Sequence, residues 1–350
     1  MSNAESRWSQ IVEFVRTYQP SDLSFSRGDI WARLDGRMIS LSEQGALTED
    51  EVSEMIAGLL ANRPDLKARL RETLTSADFT ANLAGKRFRV NIAPAQGQMF
   101  ASLRPLPEAI PTLSEVGITP KMEKTLLSLT EGLLLVSGPS GSGKTTTIAA
   151  CLEAYNQNHQ FRIITIEDPV EFLFEPRQSE IIQREIELDV PSYAQGLREA
   201  LRQNPNIIFV GEIRDAETAT VALQAAETGH LVIGSIHASD VAETITRFLL
   251  LLPENRREEA RYVLGRSFRV IFSQRLLRKR TGGRIVLREI CVHVANTEAV
   301  ILSGSDTELT NYMLSGRDLG MVDFCTALMQ IQSQVEPGEY QTYQRLFGGG

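Results

Sequence analysis

Residues 138–145, Gly-Pro-Ser-Gly-Ser-Gly-Lys-Thr, constrain the fold of this chain more than any other stretch. They fit the pattern G-x-x-x-x-G-K-[ST] without a mismatch, follow the apolar run 133–136 and open an amphipathic segment. Glycines between a strand and a helix let backbone N–H groups converge on an anion at the helix N-terminus. A glycine-rich turn with an incidental lysine is the alternative, and the strand and helix context disfavours it. We therefore predict a phosphate-binding loop in an α/β domain.

The loop residues have distinct expected roles in binding ATP and Mg²⁺. Lys144 is expected to reach the β and γ phosphates, and the Thr145 hydroxyl is expected to ligate Mg²⁺. The predicted nucleotide contacts of the loop are Gly138, Ser140, Gly141, Ser142, Gly143, Lys144, Thr145 and Thr146. ATP and Mg²⁺ are thus the predicted cofactors.

The chain reads as two domains joined by a linker. Residues 5–104 combine helical spacing with short strands, which predicts a small α+β domain. Within it we predict a hairpin turn at Asp35-Gly36, a helix with a capping box starting at Thr48 and a second helix over 64–74. Four prolines punctuate residues 105–120, which predicts an interdomain linker. Residues 121–347 alternate strand and helix, which predicts a mostly parallel sheet covered by helices. From residue 239 onward the chain reads as mainly helical, apart from a strand over 284–292.

Composition excludes several classes of protein. The formal net charge of -8 and pI of about 5.3 argue against a nucleic-acid coat or a polybasic membrane anchor. The three cysteines are scattered and form no CxxC pair, so no zinc site is expected. The longest apolar runs are too short to span a bilayer. If the protein acts at a membrane, we therefore expect it to act from the aqueous side, without a membrane-spanning segment.

Acidic residues follow two of the predicted strands. Glu167 and Asp168 follow 162–166, and Glu212 follows 207–210 with a glycine between. Such positions suit metal coordination or the activation of water, because parallel sheets bind ligands at the carboxyl ends of their strands. The alternative is that these acids cap helices, and this is the favoured interpretation for Asp215.

Histidines and arginines provide further candidates. His230 and His237 flank one predicted strand on opposite faces; His237, at the carboxyl end, is the better candidate to sense the γ-phosphate, although an isolated histidine is more often a satisfied core residue. Arg87 and Arg89 share a strand face, and Arg104 ends the last strand before the linker. These arginines could compensate transition-state charge, or could be solvated charges on an exposed strand edge.

Four motifs in order resemble the bacterial type II/type IV secretion ATPase superfamily and, within it, the twitching-motility retraction ATPases. They are the Walker A motif at 138–145, an Asp box at 164–172, a Walker B motif at 206–215 preceded by 200–205, and a His box from 226–230 through 235–238. The similarity extends into the N-terminal domain through 21–23, 33–36, 87–91 and 103–105.

The resemblance implies a RecA-like P-loop ATPase core, a PAS-like N-terminal domain and a ring of six subunits. It implies catalytic roles for Glu212, Glu167 and His237, a second His-box contact at His230, an indirect Mg²⁺ contact by Glu212, and N-domain arginines Arg89 and Arg104 near the nucleotide. The implied function is Mg-dependent ATP hydrolysis that powers a type IV pilus. The implied partner is an inner-membrane platform protein, with the motor cytoplasmic and peripheral to that membrane.

The sequence also departs from this family pattern. It lacks the four-cysteine zinc insert of extension-type relatives, and residues 308–314 lack the arginines that retraction ATPases carry there, although 316–321 match. A motor of a type IV secretion or conjugation system therefore stays open, as does a nucleotide-gated scaffold with little hydrolysis. A DNA-translocating motor is disfavoured by the acidic charge, and no nucleic-acid partner is expected.

Overall fold

The computed structural model describes residues 3–26, 29–34, 37–41, 48–61, 63, 66–68, 70 and 75–347. The chain forms two compact units. One comprises Met1–Ala109 with Pro169–Leu173, and the other Ile110–Asp168 with Phe174–Gly350. The division falls inside the predicted linker, and a short segment of the predicted ATPase domain groups with the first unit.

The first unit is an α+β structure, as predicted. Its elements are α1 (Asn3–Tyr18), β1 (Asp22–Ser26), β2 (Asp29–Leu34), β3 (Arg37–Ser40), α2 (Glu49–Leu59), β4 (Ala77–Leu83), β5 (Lys86–Ala95) and β6 (Gln98–Pro105). The described strands form one antiparallel sheet in the order β3-β2-β1-β6-β5-β4. Alternate residues Phe88, Val90 and Ile92 of β5 are fully buried, as expected for a sheet with one face on a core.

The capping box predicted at Thr48 is present in this unit. Thr48 caps α2, its hydroxyl accepts from the Glu51 N–H, and the Glu51 carboxylate accepts from the Thr48 N–H across 2.8 Å. The capping box is therefore confirmed. The predicted turn residues Asp35 and Gly36 lie outside the described residues, as does most of the predicted helix 64–74, of which 66–68 and 70 are helical.

The second unit is built around a mostly parallel sheet. Its helices and strands are α3 (Pro120–Leu127), β7 (Gly132–Ser137), α4 (Lys144–Asn158), β8 (Arg162–Glu167), β9 (Glu180–Glu185), α5 (Tyr193–Ala200), β10 (Ile207–Val210), α6 (Ala216–Glu227), β11 (Leu231–Ile236), α7 (Val241–Leu250), α8 (Arg257–Ser267), β12 (Phe268–Arg278), β13 (Arg284–Val292), α9 (Ala295–Ser303), α10 (Leu309–Ser315), α11 (Phe324–Ile331) and α12 (Pro337–Phe347). The described strands run in the order β13-β12-β7-β11-β10-β8-β9, and each neighbouring pair is parallel except β12 and β13.

Two strands of this sheet were not predicted. The expectation of a mainly helical chain after residue 239 is wrong for β12, which pairs with both β7 and β13. The helix α8 passes directly into β12 at Ser267 and Phe268, and Gly265 lies inside the last turn of that helix rather than at the boundary, so no turn or proline marks the change. The edge strand β9 was also missed. A partner distant in sequence, β7, helps to determine β12, whereas β9 pairs with the strand just before it, β8.

The end of the predicted linker belongs to the second core. Leu113, Val116 and Ile118 are buried there among the side chains that cover the sheet. Residues 110–120 are therefore an ordered part of the second unit rather than a tether. Among the helices of the described ranges, none combines the length and the apolar character that crossing a membrane requires.

Candidate functional site

The carboxyl ends of four parallel strands meet at one edge of the second sheet. Ser137 of β7 pairs with Ile236 of β11, and Val210 of β10 pairs with Ile166 of β8. Predicted site residues occupy these ends: Gly138 after β7, His237 after β11, Glu212 after β10 and Glu167 as the last residue of β8. The register therefore brings side chains that are far apart in sequence to the same sheet edge.

The backbone of the loop 138–143 requires its glycines. Gly138, Gly141 and Gly143 have φ values of 150°, 73° and 85°, in the region that favours glycine. A Cβ atom on Gly138 would lie 2.4 Å from the Gln274 carbonyl oxygen. The loop thus closes tightly over β12 and leads into α4, whose N-cap is Gly143.

Two polar side chains of the loop are suited to an anionic ligand. The Lys144 Nζ donates to the carbonyls of Gly138 at 2.8 Å and Pro139 at 3.1 Å. Burial lowers the pKa of Lys144, and the charge of Glu212 acts in the opposite direction. The buried Ser142 hydroxyl has no hydrogen-bond partner among the described residues. Because phosphate oxygens would supply acceptors and negative charge, the loop fits a nucleotide phosphate group.

Glu212 is held between two strands and faces His237. The N–H of Gly211 donates to the Ile166 carbonyl, and that of Ile213 to the Ser235 carbonyl, each across 2.8 Å. This backbone clamp fixes Glu212 at the sheet edge, where its Oε1 lies 3.4 Å from the His237 Nε2. Both side chains remain partly exposed, at 32% and 40%. A carboxylate that is fixed but reachable can orient a water molecule and accept its proton.

The glycine before Glu212 has a steric cause. A Cβ atom on Gly211 would approach the Tyr193 hydroxyl to 3.0 Å and the Ile166 carbonyl oxygen to 3.1 Å. Tyr193 comes from α5, which packs across this part of the sheet. The close approach of α5 and β8 therefore explains why a glycine, rather than a larger apolar residue, separates 207–210 from Glu212.

Glu167 is the buried acid of the site. It is 5% exposed, and its Oε1 accepts from the Thr165 hydroxyl at 2.7 Å and from the Gln183 amide at 3.1 Å. These donors come from β8 itself and from the unpredicted β9. Donors to the charged form compensate for part of the burial cost of a carboxylate and fix its orientation.

Two other acidic and histidine candidates lie away from the loop. Asp215 caps α6, accepting from the Thr218 N–H at 2.8 Å, so the capping interpretation is confirmed. His230 precedes β11, and its Nδ1 lies 3.2 Å from the Ala225 carbonyl oxygen. Its own carbonyl accepts from Gly132 at the start of β7. The length of β11 therefore separates His230 from the loop, and the structure does not bring it to this edge.

The N-terminal arginines are each engaged within the first unit. Arg89 and Arg104 are directly opposed on β5 and β6. Arg89 lies 3.4 Å from Asp78 and 3.6 Å from Glu171, and Arg104 lies 3.1 Å from Asp22. Carboxylates thus offset the repulsion of two opposed cations. Both strands are interior to the described sheet, so the alternative is wrong about a strand edge. Its other part, a solvated charge, fits Arg104, whose side chain is 63% exposed.

Two residues beneath the loop were missed by sequence reasoning. The Gln274 amide of β12 donates to the Ser142 carbonyl at 2.8 Å, and Arg288 of β13 donates to the Gln274 Oε1 at 3.2 Å. Both residues are buried. No sequence signal singled out Gln274, because the polar residues Ser273 and Arg275 flank it and β12 itself was not predicted.

A buried carboxylate near the His box should make stability depend on pH. Glu289 accepts from the Val241 N–H at 2.8 Å, and burial raises its pKa to about 7, with Asp240 and Asp323 acting in the same direction and Arg275 against it. The folded protein therefore holds a proton that the unfolded chain loses near its value of 4.5, so stability falls as pH rises between these values.

Glu289→Gln is expected to remove this loss, because a glutamine carbonyl can still accept from Val241. Relative to wild type, the variant should gain about 2–3 kcal/mol between pH 5 and pH 8. Urea denaturation of both proteins at the two pH values measures this difference. Parallel changes in the two proteins would show that Glu289 does not titrate in this range.

Comparisons with known proteins point to one family. The family model described as type II/IV secretion system protein matches residues 61–313, which is more than half of the chain. Over 323 residues the chain is 35% identical to the type IV pilus retractation ATPase PilT of Pseudomonas aeruginosa, covering 91% of this chain and 92% of that protein.

Two solved structures are similar over nearly the whole chain. The crystal structure of the pilus retraction motor PilT with bound ADP matches with a TM-score of 0.86 and 34% identity, covering 95% of both chains. The ATPase DotB of Legionella pneumophila matches with a TM-score of 0.81 and 26% identity, covering 97% of this chain and 95% of that chain. The predicted fold class, a RecA-like P-loop core with an α+β N-terminal domain, is confirmed.

Proposed function

Because the chain belongs to the type II/IV secretion system protein family, we propose that it is a Mg-dependent ATPase motor of the pilus-retraction type. The observation that carries this proposal is the convergence of the loop, Glu212, His237 and Glu167 at one sheet edge. The 35% identity to a pilus retractation ATPase supports it over alternatives that use the same fold.

In the proposed mechanism the loop holds the phosphates of ATP. The N–H groups of Ser140, Gly141 and Gly143 and the α4 N-terminus receive the negative charge. Lys144 exchanges its two carbonyl acceptors for phosphate oxygens. The Thr145 hydroxyl, at the start of α4, would hold Mg²⁺, with Glu212 in indirect contact. When bound there, Mg²⁺ would neutralise part of the phosphate charge.

Hydrolysis requires a water molecule in line with the γ-phosphorus. Glu212 orients this water and accepts its proton as the new P–O bond forms and the bond to ADP breaks. His237, 3.4 Å from Glu212, couples the position of that carboxylate to the presence of the γ-phosphate. The buried Glu167 acts as the second acid of the site, and its fixed orientation limits where the nucleotide can approach.

The mechanical function belongs to an assembly. We place Arg89 and Arg104 as cations that approach the nucleotide in a ring of six subunits, and His230 as a second His-box contact in that ring. The partner is an inner-membrane platform protein, with the motor cytoplasmic and peripheral to the membrane. The absence of arginines from 308–314 is the observation that favours a second candidate, a motor of a secretion or conjugation system.

Purified protein is expected to hydrolyse ATP with Mg²⁺ and to stop when EDTA is added, because uncompensated phosphate charge prevents attack by water. Phosphate release measures turnover, and restoring excess Mg²⁺ is the control. Light scattering with and without nucleotide tests the hexamer of this 38.9 kDa chain. An assembled protein that binds ATP without turnover would instead support the nucleotide-gated scaffold.

A further inference from the structure

Gln274 lies directly beneath the phosphate loop and hydrogen-bonds to its backbone. Ser273 of β12 pairs with Ser137 of β7, which places Gln274 beside the first residues of the loop. The side chain is fully buried, and its amide donates to the Ser142 carbonyl at 2.8 Å. We propose that Gln274 is a positioning residue for nucleotide binding that orients the peptide between Ser142 and Gly143. This inference rests on the proposed function.

The planarity of the peptide bond connects this contact to the ligand. In a trans peptide the carbonyl of one residue and the N–H of the next point in opposite directions. When Gln274 holds the Ser142 carbonyl beneath the loop, the Gly143 N–H is turned to the opposite side. Gly143 is the N-cap of α4, with φ of 85°, so glycine freedom alone would leave this peptide poorly determined. The hydrogen bond fixes a donor for phosphate before the ligand arrives.

The amide of Gln274 can adopt only one orientation in this network. Its Oε1 accepts from the Thr147 hydroxyl at 3.0 Å and from Arg288 Nη2 at 3.2 Å. A guanidinium has donors and no acceptor, so the amide oxygen must face it. The amide nitrogen is consequently left to face the Ser142 carbonyl. Thr147 comes from the first turns of α4, so the network ties the loop, the helix and two strands together.

Arg288 anchors the network and places a positive charge beneath the loop. Its Nη1 and Nη2 each donate to the Val116 carbonyl at 3.1 Å, and its guanidinium lies 5.3 Å from the centre of the Phe272 ring. Burial lowers the pKa of Arg288 to about 10, so the side chain stays charged at neutral pH, and no described carboxylate neutralises it. This charge polarises the Gln274 amide and strengthens the bond to the loop.

Two substitutions of Gln274 separate positioning from stability. Gln274→Glu keeps acceptors for Arg288 and Thr147 but loses the donor to Ser142. Gln274→Met is uncharged and loses both the acceptors and the donor. Weaker ADP binding by this variant therefore cannot come from repulsion between a new carboxylate and the phosphates. Each variant should raise the Kd for ADP about tenfold, because the Ser142 carbonyl loses its buried partner. In turnover assays KM should rise while kcat changes less than about threefold, since Glu212 is untouched.

Arg288→Met tests the residue that anchors this network. Its matched control is Arg261→Met, which removes another arginine of the same unit, one that is partly buried. Arg261 donates to the Ile301 carbonyl at 2.9 Å and to Asp306 at 2.7 Å, so Arg261→Met should lower the unfolding midpoint and leave the Kd for ADP unchanged. Arg288→Met should instead weaken ADP binding, as the Gln274 variants do.

Isothermal titration of ADP and thermal unfolding without nucleotide test whether Gln274 positions the loop for nucleotide binding. The expected result is weaker binding by both Gln274 variants, with Gln274→Glu unfolding at or above the wild-type temperature. Wild-type affinity in either Gln274 variant overturns the inference and leaves the ATPase proposal standing. If wild type binds ADP but never hydrolyses ATP, the proposed function fails, and the titrations still decide the role of Gln274.

Discussion

Glu212→Gln is expected to lower Mg-ATP turnover by at least about 100-fold while ADP binding stays within a factor of two or three, because the amide keeps the shape of the side chain but cannot accept a proton from water. The clamp that positions residue 212 is made by the backbone of Gly211 and Ile213, so the substitution leaves it intact. Phosphate release and ADP titration on the same preparations measure the two quantities.

A carboxylate at the opposite edge of the sheet provides the control for this substitution. Glu131 precedes β7 and pairs with Arg269 at 3.1 Å on the surface. Glu131→Gln removes one negative charge from the same unit without touching the site, so turnover should be unchanged. Turnover of Glu212→Gln at the wild-type rate would show that another group activates water, and Glu167 would then be the next acid to test.

Lys144→Gln is expected to weaken ADP binding by about 100-fold, equivalent to roughly 2.7 kcal/mol. The ammonium group provides the positive charge that faces the loop carbonyls and, in the complex, the phosphates. Burial already lowers the pKa of Lys144, which means that the charge is costly without an anion. Loss of the charge should therefore leave the unfolding midpoint without nucleotide unchanged or slightly higher.

The corresponding control is an exposed lysine on a different helix. Lys121 lies in α3, so Lys121→Gln removes the same charge at a distance from the loop and should leave the Kd for ADP unchanged. Calorimetric titration and thermal unfolding of both variants make the comparison. An affinity for ADP in Lys144→Gln equal to that of wild type would remove Lys144 from the binding site and with it the assignment of the loop.

The sequence was most informative where the chemistry is local. The loop 138–145 needs consecutive residues in one order, and the capping box at Thr48 needs two residues three positions apart, so both are visible without any fold. The convergence of Glu212 and His237 also followed from the sequence, because the carboxyl ends of parallel strands share an edge. Their 3.4 Å separation did not.

Local sequence patterns were not sufficient to predict the strands β9 and β12. β12 pairs with β7, which is far away in the sequence, and continues from α8 without a break. β9 pairs at the sheet edge with β8, the strand just before it. With those strands unpredicted, the partners of the site could not be placed. Gln183 of β9 donates to Glu167, and Gln274 of β12 donates to Ser142.

By itself, the sequence determined the phosphate loop, the order of the four motifs, the division into an α+β and an α/β part, and the acids at strand ends. Only the tertiary structure decided that residues 110–120 join the second core, that His230 lies at the other end of β11, and that Arg288 and Gln274 support the loop. The physical reason is range. Turns, caps and loops are specified by neighbours along the chain, whereas strand order and buried polar networks depend on which distant segments can satisfy one another.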